Sequence, residues 1–127
     1  MREYKFRGKR IDNSEWVYGS YTHCQDGEGH TSIIPFRANY HVPVDPETVG
    51  QYTGLSDRNG KEIYEGDEVR FDDTYTTDNP IQEGIVGFGN ASFYIDSGYT
   101  KHYRWIDYEC EVIGNRWDNP DLLEGEI

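Results

Sequence analysis

Residues 51–71 read QYTGLSDRNGKEIYEGDEVRF, and the Asn-Gly pair at 59–60 limits the fold more than any other feature. Asn-Gly is the dipeptide best suited to a type I′ turn, where both central residues take positive φ. Leu55–Ser56 and Glu62–Tyr64 flank the Asp57–Gly60 run, so the spacing predicts a β-hairpin. Gly66-Asp67 then bends the chain into a further strand over Glu68–Phe71. The composition agrees. Only 35% of the 127 residues are hydrophobic, but 15% are aromatic, with 11 tyrosines and 3 tryptophans. Large rings suit pleated, half-buried surfaces. Fourteen glycines supply the turns that many short strands need.

The rest of the chain reads the same way. Tyr4–Ile11 and Glu15–Tyr21 are β-like runs joined by Asp12-Asn13-Ser14, a second hairpin. TSIIPF is a short strand ending at Pro35, and NYHVPVDPETV is extended, with prolines that exclude a helix interior. IQEGIVGFGNASFYIDS gives two strands joined around Gly89-Asn90. YRWIDYECEVIGN alternates, with Tyr108, Cys110 and Val112 on one face and Glu109 and Glu111 on the other. Only NPDLLEG looks helical: Asn119 is a good N-cap, Pro120 fits the first position and Gly125 closes the turn. The expected fold is all-β: a small SH3-like barrel with an N-terminal β-hairpin element and a short C-terminal helical turn. It forms one domain over 1–127, with a β part at 1–50 and the barrel part at 51–127.

Two chemical readings of the 51–71 stretch fail on spacing. A phosphate loop needs four residues between its glycines and a hydroxyl after the lysine. Gly54 and Gly60-Lys61 are one residue too far apart, and Glu62 follows. A calcium loop starting at Asp57 finds ligand types at Asn59 and Glu68, but a cation, Lys61, at the fifth position. Elsewhere, His23, Cys24, His30, His41 and Cys110 lack zinc-ligand spacing. Cys110 reads as a buried small hydrophobe. Asp67, Asp96 and Asp107 stand near strand ends; Asp67 reads as a turn-fixing residue. Trp16, Trp105 and Trp117 read as core or interface packing in preference to a base-stacking platform. No catalytic, cofactor-binding or metal residue is assigned, and no enzyme activity or cofactor is expected.

The net charge of -12 disfavours direct nucleic-acid binding and anionic membranes. MREYKFRGKR is basic, with Arg2, Lys5, Arg7, Lys9 and Arg10, while DYECEVIGNRWDNPDLLEGEI is acidic. The two ends read as two solvated faces in preference to a pairing within one fold or between copies. Two cysteines make no disulfide framework, no run is long and apolar enough for a membrane helix, and nothing at the start resembles a signal peptide. A soluble cytosolic protein is expected, and the NAS sequon at Asn90 is a chance match.

The stretch QYTGLSDRNGKEIYEGDEVRF, the opening MREYKFRGKR and the ending VIGNRWDNPDLLEG together resemble the YopX family, small proteins encoded by phages and prophages. The loops 22–30 and 72–80 carry no part of the resemblance. It implies an all-β fold with an SH3-like barrel, an N-terminal β element and self-association, in the cytoplasm of a bacterial host. It implies no activity. The expected role is a non-enzymatic phage accessory protein that binds itself and a host or phage protein, by strand-edge pairing or through an aromatic groove. The alternative is an acidic DNA mimic that inhibits a host nucleic-acid-binding protein.

Overall fold

Closely spaced turn formers and β-type residues divide the chain into short strands. The computed structural model describes residues 4–24, 30–72, 81–98, 100–103, 105 and 109–119. In order the strands are β1 (Phe6–Lys9), β2 (Trp16–Cys24), β3 (His30–Pro35), β4 (Val42–Pro43), β5 (Gly50–Ser56), β6 (Glu62–Tyr64), β7 (Asp67–Asp72), β8 (Ile81–Gly89), β9 (Ser92–Asp96), β10 (Lys101–His102) and β11 (Cys110–Asn115). Among the described residues there is no α-helix, only a 3₁₀ turn at Pro46–Thr48 capped by the Asp45 carboxylate on the Glu47 N–H. The protein is all-β, with two antiparallel sheets ordered β4-β3-β2-β1-β5-β6 and β10-β9-β8-β7-β11. The helical turn expected from Pro120 to Gly125 lies outside the described residues.

The chain divides into two compact units, Met1–Tyr52 and Thr53–Ile127. In the first, β1 and β2 pair from Phe6↔Gly19 to Lys9↔Trp16. The expected Asp12–Ser14 turn is present, with Asn13 Oδ1 accepting the Glu15 N–H at 3.0 Å. One face of this unit buries Ile33, Val42 and Val44. Thr48 ties the 3₁₀ turn to β1 by accepting the Lys9 N–H at 2.8 Å.

The second unit has the larger core: Ile63, Val69, Phe71, Val86, Ile95, Trp105 and Cys110, flanked by Leu55, Phe93 and Val112. The strict alternation of β7 and β8 puts Val69, Phe71 and Val86 on this face and Arg70, Asp72 and Glu83 on the other. The β5–β6 hairpin is present, but its turn is not of type I′. Gly60 takes φ +84°, Asn59 does not take positive φ, and the Gly60 N–H donates to the Asp57 carbonyl at 3.0 Å. The type I′ geometry belongs to β8–β9, where Asn90 and Ala91 have φ 51° and 61°. The second sheet is open; no strand pair among the described residues closes it into a barrel. At its β11 edge stands a turn, not a strand. Arg58 N–H donates to the Cys110 carbonyl at 2.9 Å, and Val112 N–H donates to Asp57 Oδ2 at 3.0 Å.

Candidate interaction surface

The glycines and acids of 51–71 serve the backbone. Asp57 is buried, and its carboxylate accepts N–H groups from Asn59 and Lys61, both at 2.9 Å, as well as from Val112. Burial opposes its ionisation, but these three donors and Lys61 outweigh that and hold its pKa below the ordinary aspartate value. Asp67, also buried, accepts the Tyr64 N–H at 2.8 Å and so fixes the bend. Gly66 has φ +92°, and a Cβ there would stand 2.2 Å from the Trp117 ring. The Asn115–Asn119 turn holds Trp117 over that glycine: Asn115 Oδ1 accepts the N–H groups of Trp117 and Asp118, and Arg116 N–H donates to the Gly66 carbonyl. Asn119 turns its Oδ1 back to the Asn115 N–H at 3.2 Å.

The other chemical candidates are dispersed. Cys110 is in the core, and burial pushes its thiol up to about 11. His23 Nδ1 meets Thr31 Oγ1 at 3.2 Å, His41 is exposed, and Cys24 and His30 are backbone partners at the β2–β3 end. Asp96 accepts the Gly98 N–H, while Asp107 and Tyr108 lie outside the described residues. His102 Nε2 is 3.3 Å from Ser97 Oγ, but Ser97 gives its proton to the Thr100 carbonyl. That arrangement leaves the hydroxyl hydrogen-bonded and not poised for attack. The tryptophans have three separate duties. Trp105 is buried and donates to the Phe93 carbonyl, Trp117 covers Gly66, and Trp16 packs under Arg7 and Lys9 at 4.6 and 5.7 Å. Among the described residues no three His, Cys, Asp or Glu side chains gather to hold a metal. No helix among them is long and apolar enough to cross a membrane.

What remains is a set of exposed apolar side chains on the first unit, spread over both faces of its sheet, since Tyr18 and Tyr21 stand three apart on β2 and point to opposite sides. Nine large apolar side chains are exposed among the described residues, and six are here: Tyr4, Ile11, Tyr18, Tyr21, Phe36 and Tyr40. The basic strand is only partly available beside them. Arg7 is 4% exposed, and Arg10 forms a two-pronged pair with Asp12 at 2.8 and 2.9 Å. Lys5 lies between rings instead, 5.7 Å from the centroid of Phe36 and 5.1 Å from that of Tyr52. Phe36 is 55% exposed, and Arg37 beside it is exposed with φ 62°. A cation over ring faces in this way is attracted by the ring quadrupoles. Reading the strand as a basic run found Lys5, but its ring partners come from the residue after β3 and from β5, which no local pattern announces.

A family model described as YopX protein matches residues 5–124. No curated protein matches. Among solved structures, the crystal structure of protein EF1440 from Enterococcus faecalis is similar, with a TM-score of 0.56 and 22% sequence identity. It covers 97% of this chain and 99% of its own. At that identity the likeness concerns the fold.

Proposed function

The chain belongs to the YopX family, and from that premise we propose that it is a non-enzymatic binding module whose contacts with other proteins run through the side-chain surface of its first unit. The observation that carries this is the concentration of exposed aromatic side chains there, five of the seven that are exposed among the described residues: Tyr4, Tyr18, Tyr21, Phe36 and Tyr40, against Phe88 and Tyr103 in the second unit. Exposed aromatics with interspersed cations are the composition of protein interfaces. Strand addition has little to work with. Strands β4 and β10 are two residues long, the other edge of the first sheet, β6, is three, and Pro43 removes a donor from β4. The Asp57 turn occupies groups of β11. We read Thr53–Ile127 as an opened SH3-like barrel that serves as the scaffold; the turn bonding β11 supports that reading. The setting is a phage accessory protein in the cytoplasm of a bacterial host.

The test is capture from bacterial lysate with the whole chain, comparing it with Phe36→Ser and Tyr18→Ser variants that melt at the same temperature. A specific partner lost with either substitution is the expected result. A partner retained at full yield by both would remove this surface from the function. A second reading, mimicry of DNA, draws on one fact: residues 53–127 hold 17 of the 24 acidic residues. Displacement of the captured partner by excess duplex DNA would favour it.

A further inference from the structure

Of the asparagines in this chain, only Asn59 is followed by glycine. That pairing sets up a reaction as well as a turn. The backbone nitrogen after an asparagine can attack the side-chain amide, and a Cβ on the attacking residue obstructs the approach. Gly60 has none, and the space where a Cβ would stand holds no atom within 4 Å. Asn59 is exposed, and no partner among the described residues holds its amide. The side chains of Asn13, Asn90, Asn115 and Asn119 are all hydrogen-bonded. The turn itself opposes the reaction. The nucleophile is the Gly60 nitrogen, and its proton is held by the Asp57 carbonyl at 3.0 Å. The Asp57 carboxylate fixes the N–H groups on either side, those of Asn59 and Lys61, both at 2.9 Å. We infer that Asn59 is a self-modification site: it deamidates at a rate set by opening of the Asp57 turn, and its product uncovers the β11 edge.

The step balances with water alone. In the opened turn the Gly60 nitrogen loses its proton to solvent, and its electron pair forms a bond to Asn59 Cγ. The Cγ–Nδ2 bond breaks, and Nδ2 takes a proton from solvent and leaves as ammonia. The succinimide that remains adds one water at either carbonyl and opens to aspartate or isoaspartate. Isoaspartate inserts a methylene into the backbone ahead of Gly60. That displaces the Gly60 and Lys61 N–H groups from Asp57, the acceptor of both. The same turn caps β11, through Arg58 N–H on the Cys110 carbonyl and Asp57 Oδ2 on the Val112 N–H. A loosened turn frees both groups, and unpaired strand groups are a template for another strand. The modification therefore turns a capped edge into an open one, and does so irreversibly.

The experiment is ageing of the whole chain at mildly alkaline pH, read by peptide mapping, beside the same chain unfolded in urea. Asn59 is expected to convert before every other asparagine in the folded chain. It should do so about tenfold or more slowly than in the unfolded chain, the scale set by a held hydrogen bond and the opening it requires. Asp57→Asn should recover much of that difference. If Asp57→Asn fails to fold, wild type in urea below its unfolding transition loosens the turn instead. In the aged chain, hydrogen exchange at the Val112 amide should quicken about tenfold or more. Three results overturn the inference: a first conversion that falls elsewhere or nowhere in the folded chain, equal rates at Asn59 in folded and unfolded chains, or a folded-chain rate indifferent to loosening of the turn. Unchanged exchange at Val112 after full conversion would overturn the uncovering of β11.

Discussion

Asn59 and Asn90 each stand at a strand reversal in the second unit, each followed by a small residue. Asn59-Gly60 has the sequence of a type I′ turn and does not adopt one; Asn90-Ala91 has the poorer sequence and does. The difference lies in what each turn must hold. The 57–60 turn carries Asp57, whose carboxylate reaches forward to Lys61 and across to Val112. Its backbone is set by that distant strand, and the positive φ falls on Gly60 alone. The 90–91 turn joins only its own two strands, from Gly89↔Ser92 to Ile85↔Asp96, so their twist decides its type. Local propensity yields where a residue has a tertiary duty, and geometry prevails over composition where it has none.

Removing the tertiary duty is the largest expected effect. Asp57→Ala leaves the N–H groups of Asn59, Lys61 and Val112 without their acceptor in a buried site, which should cost about 3–5 kcal/mol in denaturant unfolding. Asp57→Asn keeps an acceptor and should cost roughly half of that. The carboxylate also predicts a pH dependence. Its folded pKa lies below its unfolded value. Its stabilisation is therefore fully present above the ordinary aspartate value, about 3.9, and is lost as pH falls through that value toward the folded pKa. The difference in stability between wild type and Asp57→Asn should shrink over that range. A difference that stayed constant down to the acid transition would mean that the carboxylate is not what holds the turn.

Gly66 extends the comparison to a third bend, again governed from a distance. Gly66→Ala meets both a positive φ and the Trp117 ring, and should cost about 2–4 kcal/mol. Adding Trp117→Ala removes the clash but not the backbone strain, so the two losses should combine to less than their sum. Additive losses would separate Trp117 from the bend.

These cases mark how far the sequence was legible. The hairpins, the Gly66-Asp67 entry and the burial of Cys110 follow from local patterns that the structure keeps: turn residues at fixed offsets and alternation along β11. The turn type at Asn59 was not legible, because it depends on Val112, 55 residues from Asp57. The 3₁₀ turn at Pro46–Thr48 was hidden in a proline-rich run that reads as extended. The aromatic surface was half visible. Lys5 belongs to an evident basic run, but the rings that frame it come from Phe36 and Tyr52, and the burial of Arg7 in the same run has no local signal.

Where no tertiary duty acts, the turn should respond to its own chemistry. Ala91 holds φ 61°, a conformation unfavourable for a residue with a Cβ by about 1 kcal/mol. Ala91→Gly should therefore raise the melting temperature, with a gain of roughly 0.5–1 kcal/mol offset in part by the entropy of a more flexible unfolded chain. No change on this substitution would mean that the β8–β9 turn relaxes to another type in solution.

The smallest effect is the sharpest test of the contrast. In a type I′ turn, Asn59 would be chosen for its tolerance of positive φ, and Asn59→Ala would cost about 1 kcal/mol. Here its φ is not positive, its side chain is exposed, and the bond to Asp57 is made by its backbone N–H. Alanine keeps all of that, so Asn59→Ala should shift stability by less than about 0.5 kcal/mol. Asn90→Ala is the matched control. It moves an alanine into φ 51° and removes the bond from Asn90 Nδ2 to the Tyr103 hydroxyl, and should cost roughly 1 kcal/mol. Equal losses at the two asparagines would place Asn59 in the left-handed region after all, and the tertiary account of the 57–60 turn would fall with it.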